Sequence, residues 1–280
     1  MSNLNAVILG VVQALTEFLP VSSSGHLVLF QHLLGIKEPM LVFDIAVHWG
    51  TLLAVILYFW RDILHLIRDF FNFITRLPSA PDREKLFQEY PYALVGVYVI
   101  VATIPTALIG FFFQEVFENL FHSVFAVAVA WFALGILLII SERFQDGDRN
   151  LTMLNQKDAF LIGTAQGIAI LPGISRSGTT ILMGMLCGIK KEDAARFSFL
   201  MSLPAILGVG ILKFKDGIEF AQSSMAPLLI GFFVSAIVGC FAIAVLLKLI
   251  QKGKFYMFGY YCVVMSVGTF AYIYLSGLLR

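Results

Sequence analysis

Glu17, His26 and Arg176 are the ionisable residues that lie inside or beside polar turns cut into long apolar sequence. Charged groups at membrane depth are costly to hold and as a rule serve function. Gln13 precedes Glu17 by four residues, so on a helix the two share a face. Arg176 stands in Ser175-Arg176-Ser177-Gly178-Thr179-Thr180, directly before an apolar run. Its guanidinium is a rigid fork of donors suited to phosphate. Ser22-Ser23-Ser24-Gly25 precedes a second short apolar segment. Each serine-rich start offers hydroxyl caps and unsatisfied backbone N–H groups at a positive helix end. Two such ends converging in a low-dielectric interior would bind an anion strongly.

These residue types together form a phosphate site. Glu17, Ser23, His26 and Arg176 are its catalytic candidates. Gln13, Ser22, Ser24, Ser175, Ser177 and Thr179 are its candidates for holding substrate, although the serines would serve equally as plain helix caps. His26 lies three residues after Ser23 and is expected to approach its hydroxyl, the arrangement that activates a nucleophile. Glu17 is the candidate metal ligand, because Mg²⁺ or Ca²⁺ binds through few protein oxygens alongside substrate phosphates. A site reached through a membrane points to an amphiphile that carries phosphate.

The two polar turns are copies of one another, 153 residues apart. At that offset Gly10, Gln13, Ser22, Ser24 and Gly25 match Gly163, Gln166, Ser175, Ser177 and Gly178. Leu33, Gly35, Ile36 and Lys37 match Leu186, Gly188, Ile189 and Lys190. A duplicated glycine-bearing turn in hydrophobic sequence marks where a membrane protein builds its site.

The elements that carry these turns follow from hydropathy. The chain is 59% hydrophobic and 13% charged, against about a quarter charged in a soluble domain. Its mean hydropathy is +0.87, and the apolar residues come in long blocks. An integral membrane protein is expected, with no basic tail or patch for nucleic acid. Cys187, Cys240 and Cys262 lie in apolar stretches and read as small buried hydrophobes. No Lys or Arg precedes the first apolar stretch, so it reads as retained rather than as a signal peptide.

Six stretches approach the roughly 20 residues of a spanning helix: 41–60, 91–113, 121–141, 197–212, 227–250 and 256–279. Four are too short to cross: 4–18, 26–35, 159–171 and 179–189. They fall in two pairs, each joined by one copy of the turn, and read as re-entrant hairpins. The expected fold is an all-α polytopic membrane protein with six transmembrane helices and two re-entrant helical hairpins. It forms one membrane domain over 1–280. Residues 1–150 and 151–280 are two repeats of inverted topology, because three crossings separate the hairpins.

The loops 61–90, 142–157, 189–196 and 248–255 carry most of the 19 basic residues. The opposite loops carry Lys37, Lys213, Lys215 and Arg280. The positive-inside rule makes the first set cytoplasmic and places both termini, and access to the site, outside. The long segment 61–90 mixes both signs and reads as a solvated loop, with Pro78 and Pro81 breaking its helical part. His32, His48, His65 and His122 read as structural or interfacial, and Asp44 as a helix cap. Gly231, Gly239 and Gly259 would permit the close helix contacts of a homodimer.

The chain resembles the bacterial undecaprenyl-diphosphate phosphatase family of the bacitracin-resistance type. The resemblance runs through Gln13-Ala-Leu-Thr-Glu17, continuing to Ser22-Ser23-Ser24-Gly25-His26, and Pro172-Gly173-Ile174-Ser175-Arg176-Ser177-Gly178-Thr179-Thr180. Phe43-Asp44 and Ala194-Ala195-Arg196-Phe197-Ser198-Phe199 are also similar to that family. It implies a metal-dependent hydrolase that removes the terminal phosphate of undecaprenyl diphosphate at the outer face of the inner membrane. The lipid carrier is thereby recycled for peptidoglycan, with bacitracin resistance as a consequence. The functional positions it implies here are Gln13, Glu17, Ser23, His26 and Arg176. Gln13 is admitted by the family's pattern, but it cannot serve as a base. Attack by Ser23 through a phosphoserine and direct attack by water both remain open. The competing class is a lipid-phosphate transporter using the same inverted-repeat site.

Overall fold

The computed structural model describes residues 1–36, 40–80, 82–121, 123–218 and 225–276. Among them the chain is helical without strands, apart from one isolated bridge between Arg149 and Ile189. The first half runs α1 (Asn3–Phe18), α2 (Ser23–Leu33), α3 (Leu41–Tyr58), α4 (Trp60–Arg76), α5 (Arg83–Glu89), α6 (Pro91–Phe112), α7 (Gln114–Phe121) and α8 (Val124–Ile140). The second half runs α9 (Gln156–Ile168), α10 (Arg176–Leu186), α11 (Lys191–Ile218), α12 (Met225–Gln251) and α13 (Met257–Ser276).

Four helices among the described residues are long and apolar enough to cross a bilayer: α6, α8, α12 and α13. The α3–α4 pair is a fifth candidate, broken by a 75° bend. The chain is a multi-pass membrane protein. The stretch 197–212, expected as a sixth crossing, lies in α11, where the side chains of 209 and 211–218 fall outside the described residues. Charges crowd its first turns, and its interior face carries the fully buried Ser198 and Ser202.

The expected solvated loop at 61–90 is a correction. It is mostly two helices, and α4 buries Asp62, Asp69 and Phe73 while exposing Leu64, Ile67, Phe71 and Ile74. Apolar residues turned outward on a charged helix suit a membrane interface. Pro78 sits in the short 3₁₀ turn Leu77–Ser79 that follows α4; Pro81 lies outside the described residues.

The helices flanking the repeated turns have 16, 11, 13 and 11 residues in α1, α2, α9 and α10. At about 1.5 Å per residue, none reaches the roughly 30 Å of a hydrocarbon core. Small residues let α1 and α9 pack closely, as lipid-embedded helices require. A Cβ on Gly163 would meet the Ala102 carbonyl of α6 at 2.1 Å, and one on Gly10 would meet the Gly231 carbonyl of α12 at 3.1 Å. Gly231, Gly239 and Gly259, expected to permit close helix contacts, make such contacts inside the chain. They face Phe43, Ala54 and the Gly135 carbonyl.

Arg149 closes the open end of the α9–α10 hairpin. It is ion-paired with Asp158, which opens α9 in a capping box with Asn155, and donates to the Cys187 carbonyl at 2.9 Å. The hydrogen bonds that Arg149 donates to the Asp158 carboxylate push its pKa above the ordinary value.

Candidate active site

Glu17 is the point on which four helices converge. Near the end of α1, its carboxylate is 8% exposed. Oε1 accepts from Arg176 Nη2 of α10 at 2.6 Å. Oε2 accepts from Ser23 Oγ of α2 at 2.6 Å and from Gln13 Nε2, one turn back, at 3.1 Å. His48 Nε2 of α3 stands 3.9 Å from Oε2. The two turns also touch directly, since a Cβ on Gly178 would lie 3.0 Å from the Pro20 ring. A carboxylate so surrounded is fixed in direction, and its ion pair with Arg176 offsets part of the cost of burial.

The first turn is held by α8 and α13. Trp131 Nε1 donates to the Val21 carbonyl at 2.9 Å, and Cys262 Sγ approaches the Pro20 carbonyl at 3.6 Å. A Cβ on Gly25 would fall 2.6 Å from the Trp131 ring, so only glycine admits this contact. Ser22 sits at φ +70°, a left-handed conformation that L-residues rarely adopt.

His26 is not where its spacing from Ser23 suggested. Its Nδ1 is 2.7 Å from the Ser22 carbonyl, and its Nε2 is 2.7 Å from the Tyr261 hydroxyl. A carbonyl only accepts, so Nδ1 carries the proton and Nε2 accepts from Tyr261. Both nitrogens are engaged and the residue is 2% exposed. The Ser23 hydroxyl turns to Glu17 instead. The expected Ser23–His26 approach is therefore corrected, because the i→i+4 bond to Ser22 claims the ring.

The second turn repeats two of the first turn's bonds. Ser22 Oγ and Ser24 Oγ are 3.3 Å apart, and their counterparts Ser175 and Ser177 are 3.1 Å apart. Thr179, the counterpart of His26, donates to the Ser175 carbonyl at 2.9 Å, as His26 does to that of Ser22. Gln13 and its counterpart Gln166 each bury an Oε1 with no hydrogen-bond partner. The copies differ at Glu17, whose counterpart is Ile170. Only the first turn carries an acid.

Ser177 is fully buried against Ser175, whose side chain accepts from Gly178 N and caps α10. Ser23, Ser24, Arg176 and Thr179 keep partial exposure, so they are the members able to meet a ligand. Thr180 joins them to α11 through Ser198 at 2.6 Å.

His48, Tyr261, Trp131 and Ser198 are site neighbours that the sequence did not single out. The only available signal was the polarity of His48 on an otherwise apolar helix. Asp44 lies inside the first turn of α3, where Oδ1 accepts from Gln31 at 2.8 Å; the cap position is Met40. His65 packs on Tyr92, away from Glu17. The side chain of His32 and all of His122 lie outside the described residues.

Residues 6–268 match the model of the family described as bacitracin resistance protein BacA. The chain belongs to the BacA family. Curated relatives named undecaprenyl-diphosphatase include one from Carboxydothermus hydrogenoformans, 41% identical over 95% of this chain and 96% of the relative. Another, from Caldicellulosiruptor bescii, is 42% identical over 93% and 94%. A third, from Methanobrevibacter smithii, is 41% identical over 96% and 97%. The matches span the BacA-family fold from the Gln13–Glu17 helix to α13. One cavity in this BacA-family chain, of about 580 Å³, is lined by Arg61, Asp62, Tyr92, Arg196 and Lys248 and by none of the residues around Glu17.

Proposed function

We propose that this chain hydrolyses undecaprenyl diphosphate to undecaprenyl phosphate and inorganic phosphate, as the names of its relatives say of them. The observation that carries the reading is the Glu17–Arg176 pair beside the Ser23 hydroxyl, each from a different short helix. Arg176 and the N–H groups opening α2 and α10 hold the diphosphate and stabilise charge spreading over its oxygens. The Ser23 oxygen attacks the terminal phosphorus in line, and its proton passes to Glu17 Oε2, which it already faces. Undecaprenyl phosphate departs, and water then hydrolyses the phosphoserine to release phosphate. His26 keeps the turn in shape through Ser22 while Tyr261 fixes its tautomer. Gln13, Ser22, Ser24, Ser175, Ser177 and Thr179 line or brace the anion's seat.

A divalent cation, Mg²⁺ or Ca²⁺, suits this donor set. Gln13 Oε1 is a buried oxygen without a partner, on the amide that touches Glu17. Gln13 and Glu17 would hold the ion, which supplies positive charge against the two phosphates.

The topology that supports this chemistry is six crossings with two re-entrant hairpins. The repeats 1–150 and 151–280 are inverted, both termini are periplasmic, and the protein resides in the inner membrane. The matched bonds in the two turns and the short lengths of α1, α2, α9 and α10 support it. A transporter without hydrolysis draws no support from the relatives' names. Phosphate release by the purified protein in detergent, abolished by EDTA and by Glu17→Ala, is the expected result. Release that survives both would overturn the reading.

A further inference from the structure

Resting on the hydrolase reading above, we infer that His48 is a ligand of the site's cation and biases the site toward a first-row transition ion over Mg²⁺. His48 Nδ1 is 2.6 Å from the backbone carbonyl of Asp44. That oxygen can only accept, so Nδ1 donates to it and Nε2 is the ring atom left to face the site. Nε2 faces Glu17 Oε2 across 3.9 Å, too far for a hydrogen bond. An unprotonated Nε2 offers a lone pair to a cation placed between it and the carboxylate.

The spacing suits a shared ion. Donors about 2.1 Å from one metal lie at most about 4.2 Å apart. A ligating histidine usually donates its other ring N–H to a carbonyl or carboxylate, which sets its tautomer and aim. The bond to Asp44 does this for His48. Gln13 Oε1, buried and without a partner, is a third donor next to the same carboxylate. Among the described residues no three His, Cys, Asp or Glu side chains cluster for a metal, so the amide oxygen is needed to complete the protein's share. The His48 side chain is 35% exposed, which leaves room for water or phosphate oxygens.

The donor chemistry then selects the ion. Mg²⁺ and Ca²⁺ take oxygen ligands, whereas imidazole nitrogen favours first-row transition dications. Mn²⁺ takes the oxygen donors that suit Mg²⁺ and, as a transition ion, accepts the nitrogen as well, so one nitrogen and two oxygens suit it.

The test uses full-length protein in detergent, stripped with chelator and loaded with Mn²⁺ in the absence of substrate. Pulsed electron paramagnetic resonance should show ¹⁴N coupling from a directly bound imidazole. His48→Gln should abolish that coupling and weaken Mn²⁺ binding about tenfold or more; His26→Gln should keep the coupling. Wild-type protein that binds Mn²⁺ without nitrogen coupling would overturn the assignment, as would coupling that survives His48→Gln. The wild-type spectrum decides even if a variant fails to fold. Phosphate release is scored separately. Activity without nitrogen coupling removes only His48 from the site, whereas no release with any divalent ion removes the reading beneath it.

Discussion

Arg176 Nη2 and Glu17 Oε1 meet at 2.6 Å across 159 positions of sequence, inside a chain of mostly apolar helices. The pair joins the two repeated turns and gives the site its charge pattern. The carboxylate lies between two donors, with the Arg176 fork on Oε1 and the Ser23 hydroxyl on Oε2.

Arg176→Lys keeps the charge and loses the fork. A point charge cannot donate to Glu17 and to a phosphate with the same geometry. Turnover should fall roughly 100- to 1,000-fold, the usual cost of one lost transition-state donor. Thermal stability should change little, because the ion pair survives. Steady-state phosphate release with a melting curve checks both; a loss below about threefold would show that the fork is not used.

Ser23→Ala removes the hydroxyl that donates to Glu17. Under the phosphoserine route turnover should fall about 10³-fold or more with folding intact. Retention above a few per cent would shift the reaction to direct attack by water. Single-turnover hydrolysis in ¹⁸O-water, with a search for labelled phosphoserine, separates the routes.

Tyr261→Phe deletes the donor to His26 Nε2 at 2.7 Å and leaves the stacked ring in place. One lost neutral hydrogen bond costs about 1 kcal/mol of stability. The ring then has one anchor instead of two, and turnover should drop about tenfold through misplacement of the turn. The substrate KM should hardly move. A change in KM with kcat intact would place Tyr261 on the substrate rather than behind His26.

Arg149→Met tests a brace with no part in the chemistry. It breaks the pair with Asp158 and frees the Cys187 carbonyl at the end of α10. Removing one partner of a partly buried pair should cost about 2–3 kcal/mol. The melting temperature should fall while kcat, measured below it, stays near that of the parent.

The parts of the site nearest in sequence were legible because they are duplicated. Gln13, Glu17, Ser23 and Arg176 stand in two turns whose spacing repeats, and the structure places them in contact. His48 was hidden, because only the packing of α3 against α1 brings it to Glu17. Tyr261 and Trp131 reach the turn from 235 and 110 positions away, separations at which no local pattern survives. His26 was misplaced by reasoning from chain proximity: three residues of spacing suggested Ser23, whereas a helical turn delivers the ring to the Ser22 carbonyl. Segment 61–90 was read as a solvated loop with a helical part, and the apolar face of α4 was missed because its charges were counted and its period was not. Ile63, Leu64, Ile67, Phe70, Phe71 and Ile74 recur at helical spacing.

The separation of acid from counter-charge has a bearing on how the protein is made. When the ribosome has finished the first half, Glu17 has been made and its arginine has yet to be synthesised. The polar centre therefore cannot close until the second repeat emerges, and a product truncated before it would hold an acid without its counter-charge.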